Sequence, residues 1–175
     1  MTSVEALLAT GIRDIPDFPK VGITFKDITP LLGDPFLLRE AVSGLSSPYH
    51  GARVTKVLGV EARGFILAAP VALALGAGFV PVRKLGKLPG AVEKAEYFLE
   101  YGTDVLEVHS DSVRPGERVV IVDDVLATGG TAAATVRLAE ALGAEVVGLS
   151  FLIELTFLGG RGALSGAPIH SLLSY

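Results

Sequence analysis

The chain reads as an α/β fold, a mostly parallel central sheet flanked by helices. Three observations predict it. Short apolar runs rich in Val and Ile alternate with segments of helical pattern, the order that builds a parallel sheet with covering helices. The run Val119–Val122 is apolar at every position, as a strand buried on both faces requires. Half of the residues are hydrophobic and only 19% are charged, a composition that fills a core and differs from that of a disordered chain. A length of 175 residues suits one domain over 1–175, which buries roughly 70% of the surface of its unfolded chain.

Taken in order, Ser3 is placed to cap a short helix over Val4–Ala9. Asp34 before Pro35 starts a second helix, which runs to about Leu45; the carboxylate accepts from free first-turn amides and proline suits the first position. Lys56–Val60 (KVLGV) is a buried strand, Gly64–Leu75 the helix after it, and Gly78–Val82 the next strand. A polar stretch, RKLGKLPG, leads to two runs, Ala95–Tyr101 and Asp104–Ser110, that form a hairpin turning at Gly102. Arg118–Val122 is the clearest central strand. A Gly-rich turn and a helix from about Gly130 to Leu142 follow it, then strands over Val146–Glu154 and His170–Ser174.

Composition narrows the function. Cysteine is absent, which removes disulfides, thiolate metal sites and thiol nucleophiles and fits a reducing cytoplasm. The first residues carry no leader pattern, and no apolar run reaches the roughly 20 residues that span a bilayer, so no membrane partner is expected. A net charge of -4 argues against general nucleic-acid binding, while local basic clusters remain able to hold a polyphosphate. His50, His109 and His170 are scattered and show no metal-binding spacing.

The most informative segment is Val119–Thr131, VVIVDDVLATGGT. An apolar strand ends in two acids, and a Thr-Gly-Gly-Thr turn then opens a helix. Such a turn exposes free backbone N–H groups, and the helix dipole favours an anion there. Gly129 and Gly130 allow close approach of a phosphate, while Thr128 and Thr131 add hydroxyl donors. Neither a Walker loop nor a dinucleotide fingerprint is present. Two acids beside a phosphate nest would repel a bare phosphate, but they suit a ligand that also carries hydroxyls or Mg²⁺. The plainer alternative is a tight strand–helix turn with solvated acids.

This segment resembles the motif by which type I phosphoribosyltransferases bind phosphoribosyl pyrophosphate (PRPP). The resemblance implies that Asp123 and Asp124 hold the ribose hydroxyls, and that Ala127, Thr128, Gly129, Gly130 and Thr131 wrap the 5′-phosphate. It also implies a small hood and a mobile catalytic loop around the sheet. Five further blocks are similar to the adenine-specific members, in the family's order: Phe18–Pro30, Gly59–Phe65, Val80–Gly90, Phe98–His109 and Ile153–Arg161.

Each block has a chemical reading. Arg63, Arg83, Lys84 and Lys87 supply cations for a diphosphate leaving group, although a solvated surface is the commoner fate of any one of them. By resemblance Glu61, Ala62 and Arg63 also contact the pyrophosphate, and the Glu61–Ala62 peptide is cis. Arg83 reaches towards a neighbouring subunit, which implies a homodimer. Glu100 lies between Leu99 and Tyr101, neighbours that can raise a carboxyl pKa towards neutrality. The resemblance makes it the catalytic residue that handles the proton on the purine, with an exposed strand glutamate as the alternative. By resemblance adenine is held by Thr24, Phe25, Lys26 and Leu158: Phe25 stacks on the base, with an ordinary core residue as the alternative, and the Thr24 backbone reads its Watson–Crick edge. Lys26 stands where many relatives have Arg, so a bidentate contact is not carried over.

The implied reaction joins adenine to PRPP and yields AMP and pyrophosphate, a purine-salvage step in the cytoplasm, with Mg²⁺ bound mainly through PRPP and no dedicated protein ligand set. Two other readings stay open: the same chemistry on a 6-oxopurine, and a regulator that senses PRPP. The length and charge of the chain speak against the second.

Overall fold

The computed structural model describes residues 4–99, 102–164 and 166–175. Ser3 and Glu100, to which the sequence assigns a cap and a catalytic role, lie outside the described residues. The first half of the chain contains α1 (Val4–Ala9), β1 (Arg13–Ile15), β2 (Phe25–Asp27), α2 (Thr29–Gly33), α3 (Pro35–Ser46), β3 (Lys56–Val60), α4 (Arg63–Leu75) and β4 (Gly78–Lys84). The second half contains β5 (Val92–Leu99), β6 (Gly102–His109), β7 (Arg118–Leu126), α5 (Gly130–Ala141), β8 (Glu145–Glu154) and β9 (Ile169–Ser174).

Seven strands form one sheet in the order β5-β6-β4-β3-β7-β8-β9. From β4 through β3, β7 and β8 to β9 every pairing is parallel. The hairpin β5–β6 adds an antiparallel edge beside β4. The mostly parallel sheet expected from the sequence is therefore present. Strand β7 shows why its sequence is apolar throughout. Successive side chains alternate between faces, so Val120 and Val122 join the core beneath α3 and α4 with Ala41, Leu67 and Val71. Val119 and Ile121 join the opposite core with Ala134, Leu138 and Phe151. Each such side chain contributes roughly 1.5–3 kcal/mol of apolar burial.

The helices form where the sequence places them. Asp34 caps α3 by accepting from the amides of Phe36 and Leu37 at 2.8 and 3.0 Å, and Pro35 occupies the first turn. Leu37, Ala41 and Leu45 recur every four residues along its buried face.

Three features depart from expectation. Strand β7 continues through Asp123 and Asp124 to Leu126 instead of stopping at Val122, because β8 stays paired alongside it as far as Glu154. The hairpin pairs Leu99 with Gly102, so its strands begin and turn earlier than expected. Strands β1 and β2 make a separate antiparallel pair that the sequence did not announce. They are too short to show periodicity, and cross-strand ion pairs join their partners: Arg13–Asp27 at 2.6 Å and Lys26–Asp14 at 2.7 Å.

The chain leaves β3 towards β4 on one side and β7 towards β8 on the other. A crevice therefore opens beyond the carboxyl ends of β3 and β7, the switch point at which open α/β sheets bind ligands. Among the described residues, no helix is long and apolar enough to cross a membrane.

A carboxylate clasp closes the far end. Glu154, at the end of β8 and 5% exposed, accepts from Arg161 through both oxygens at 2.7 Å and from Ser171 at 2.8 Å. The Arg161 guanidinium, outweighing partial burial and helped by Ser171, holds the Glu154 carboxyl below its usual range. A depressed pKa contributes stability above the ordinary value of about 4.5 and loses it as pH falls through the folded-state value. Glu154→Gln is expected to lower the thermal midpoint at pH 7, with a loss of about 1–3 kcal/mol. The gap from wild type should close as the pH drops below about 4.5, and midpoints measured across that range check it.

Candidate active site

The crevice at the switch point is a cleft of about 600 Å³. Its floor is the junction between β7 and α5. After Leu126 the chain turns through Ala127 and Thr128 to Gly129, which has φ +85 and ψ -5, a conformation that favours glycine. A Cβ at Gly129 would also collide with the Gly160 carbonyl oxygen and the Ala163 methyl, so glycine is required on both counts. Gly129 is the N-cap of α5 and offers no side-chain acceptor. The first intrahelical bond runs from Ala133 to the Gly129 carbonyl at 2.9 Å, which leaves the earlier amides without helical acceptors. Together with the positive end of the α5 dipole, they make the turn 127–131 an anion site.

Asp123 and Asp124 stand just upstream. Asp124 is 7% exposed and forms a short ion pair with Arg63 at the start of α4. Asp123 accepts from the Asp124 amide at 2.9 Å. Gly64 lets α4 come this near: a Cβ there would lie 2.5 Å from Asp123 Oδ1. Burial first, and then the Asp124 carboxylate beside it, push the Asp123 carboxyl well above its usual range. Two acids are thus crowded near the end of β7 with a cation paired to only one of them, an arrangement that a bound metal ion or hydroxyl donors would relieve.

The pyrophosphate candidates divide. Glu61, Ala62, Arg63 and Lys84 line the cleft, whereas Arg83 and Lys87 lie outside its lining. Arg83 donates to Glu61 Oε2 at 3.0 and 3.1 Å and to the Lys87 carbonyl at 3.1 Å. Within its own chain it is therefore bound to the residue expected to share its ligand. Glu61 also accepts from the Lys84 amide at 2.5 Å. Desolvation acts to raise its pKa, but the Lys84 amide, Arg83 and Lys87 outweigh it and hold the carboxyl below its usual range. The Glu61–Ala62 peptide is cis.

On the other wall stand Thr24, Phe25 and Lys26. The Phe18 ring meets Phe25 edge-on at 5.3 Å, and the Arg63 guanidinium lies 5.1 Å from the Phe25 centroid. Lys26 pairs with Asp14 and lies 3.9 Å over the Tyr175 ring, so its ammonium is already engaged. Leu158 is 37% exposed and is not part of the lining; Leu155 is.

Tyr97 and Asp104, to which the sequence assigns no role, also stand at this site. Tyr97 lines the cleft and donates to Asp104 at 3.1 Å, while Asp104 pairs with Lys84 at 3.1 Å. A turn at Gly102 would have set Tyr97 opposite Glu107; the observed register sets it opposite Asp104. Register was the signal needed, and strand patterns alone do not supply it.

Asp123→Asn tests the crowded pair. A raised folded-state pKa means that the ionised carboxyl costs stability above its ordinary value of 3.8. The amide is expected to raise the thermal midpoint at pH 7 while lowering catalytic efficiency. The gain in midpoint should shrink as pH falls towards 4, and a neutral-pH midpoint at or below wild type would contradict the strain.

The chain has clear relatives. The phosphoribosyl transferase domain family is matched over residues 37–158. The adenine phosphoribosyltransferase of Myxococcus xanthus is 55% identical over 174 residues, covering 99% of this chain and 95% of the relative. The crystal structure of the Rhodothermus marinus adenine phosphoribosyltransferase superposes with a TM-score of 0.94 at 55% identity, covering 98% of each chain. The Saccharomyces cerevisiae enzyme, complexed with adenine and an iminoaltritol bisphosphate, superposes at 0.93 with 40% identity, covering 98% of this chain and 99% of the other. With a cleft of matching chemistry at the switch point and likeness along its whole length, the chain belongs to the adenine phosphoribosyltransferase family.

Proposed function

We infer that this chain transfers the 5-phosphoribosyl group from PRPP to adenine, forming AMP and pyrophosphate, and so serves purine salvage. One observation carries the conclusion. A single cleft joins an anion-binding helix start to a pair of acids, in a chain whose full-length relatives are adenine phosphoribosyltransferases.

The residues divide the substrate between them. The turn 127–131 takes the 5′-phosphate on the amides of Gly129, Gly130 and Thr131, with the hydroxyls of Thr128 and Thr131 in support. Asp123 and Asp124 accept from the ribose hydroxyls. Arg63, Lys84 and the Glu61–Ala62 peptide face the pyrophosphate, with Lys87 and Arg83 behind them. Phe25 stacks on adenine, Thr24 reads its edge through backbone groups, and Lys26 bounds the base. The residues present suit Mg²⁺: the crowded Asp123–Asp124 pair offers hard oxygen donors to an ion that keeps substrate oxygens and waters in its shell. When bound, Mg²⁺ would neutralise charge on the pyrophosphate.

No protein nucleophile is needed. As the bond from C1′ to pyrophosphate breaks, N9 of adenine bonds to C1′ from the opposite face, and Glu100 takes the proton that the base gives up. Positioning and charge stabilisation supply the rate. The reaction belongs to one domain over 1–175, and the cysteine-free sequence suits a cytoplasmic setting.

The active form is a homodimer in this reading. Ile66 and Leu73 on α4 and Phe79 on β4 are 46%, 82% and 36% exposed, an apolar patch suited to a second copy. It adjoins the strand that carries Arg83, and Glu61 would have to release that arginine before it reached a partner's ligand. Sedimentation at assay concentration should give a dimer, and a fully active monomer would contradict this.

Base choice is the decisive test. Adenine offers a donor at its C6 amine and an acceptor at N1, and 6-oxopurines present the reverse. A site matched to adenine leaves buried polar groups unpaired against hypoxanthine, which rejects it by roughly 10⁴–10⁵. Thr24→Val should keep the preference, because backbone groups do the reading, while Phe25→Ala should weaken every base. kcat/KM for adenine, hypoxanthine and guanine at one Mg-PRPP concentration measures it, and equal values for adenine and hypoxanthine would sink the adenine reading.

A further inference from the structure

Each cation that lines the cleft pairs with a carboxylate of the chain: Lys26 with Asp14, Arg63 with Asp124 and Lys84 with Asp104. The last pair uses a carboxylate to which the sequence assigns no role. Asp104 stands on β6 directly opposite Tyr97 of β5, and three groups hold it. Its Oδ1 accepts from the Val105 amide at 2.8 Å. Its Oδ2 accepts from the Tyr97 hydroxyl at 3.1 Å and lies 3.1 Å from Lys84 Nζ. Tyr97 is 5% exposed.

These contacts give Asp104 two properties. It is fixed, because a backbone amide and a buried tyrosine anchor both oxygens. It is also ionised at neutral pH: the Val105 amide, Lys84 and Tyr97 together outweigh partial burial and keep the carboxyl below its usual range. A fixed anion beside Lys84 offsets the charge of that ammonium. It also repels a polyanion that approaches the same ammonium, or lingers on it.

We propose that Asp104 is the resident counter-ion of Lys84, competing with pyrophosphate for that ammonium and setting how tightly the cleft keeps its leaving group. The proposal rests on the reading of Lys84 as a pyrophosphate cation. In the free cleft Lys84 is held ready by Asp104; with pyrophosphate bound, the ammonium is shared; as pyrophosphate leaves, Asp104 takes it back. Asp104 is thus a positioning residue for Lys84.

The test measures the Kd of inorganic pyrophosphate at fixed magnesium by calorimetry, in wild type, Asp104→Asn, Lys84→Met and the double variant. Asparagine keeps an acceptor for Val105 and Tyr97 while removing the charge, and Asp104→Ser serves should it fail to fold. Asp104→Asn is expected to tighten binding about fivefold, the scale of one unit charge a few ångströms away through water, with a smaller effect at high salt. Lys84→Met is expected to weaken binding, and in its background Asp104→Asn should lose most of its gain. Unchanged or weaker binding in Asp104→Asn, with Lys84→Met still damaging, would overturn the counter-ion role and leave Lys84 in the site. Equal gains in both backgrounds would reduce Asp104 to a general surface charge and overturn the competition. No effect of Lys84→Met would overturn the underlying assignment of Lys84 along with the proposal.

Discussion

The crowding of Asp123 and Asp124 beside the start of α5 is the constraint on which the rest of this structure turns. An anion-attracting helix terminus and a pair of carboxylates are poor neighbours unless one ligand answers both. Arg63 offsets one acid, and the other is left with a raised pKa. The β7 backbone cannot relax to separate them, because parallel partners hold it on both sides and apolar cores cover both of its faces. The junction is therefore strained electrostatically and rigid mechanically, which is how a preorganised site differs from a flexible one.

Around that junction, charge is neutralised locally. Each cation on the cleft wall has its own carboxylate, and Arg83, just outside it, has Glu61. Long side chains are thereby held in place, which lowers the entropy that engaging a ligand would cost. The same pairing leaves each of these cations offset by a carboxylate of its own chain.

The elements behind the phosphate turn matter as much as those that face the cleft. The 3-10 turn Gly160–Ala163 packs directly against Gly129, and the clasp of Arg161 on Glu154 holds that turn to the end of β8. Leu155 donates to the Leu126 carbonyl at 2.9 Å, which ties the same corner to β7. A carboxylate remote from the chemistry thus helps to set the shape of the phosphate turn.

The sequence by itself determined the sheet, the helix starts and the phosphate turn. These rest on local rules: apolar runs for β3 and β7, Asp34–Pro35 for the start of α3, and glycine where φ is positive. It also singled out Asp123, Asp124, Arg63 and Lys84, which line one cleft. Tertiary structure alone decided which charges meet. Asp104 reaches Lys84 through the pairing of β6 with β4, Arg83 turns back on Glu61 twenty-two positions away, and β1 pairs with β2 through ion pairs between residues twelve and fourteen positions apart. Long-range pairing depends on where elements dock in space, and a linear pattern of residue types carries no record of that distance.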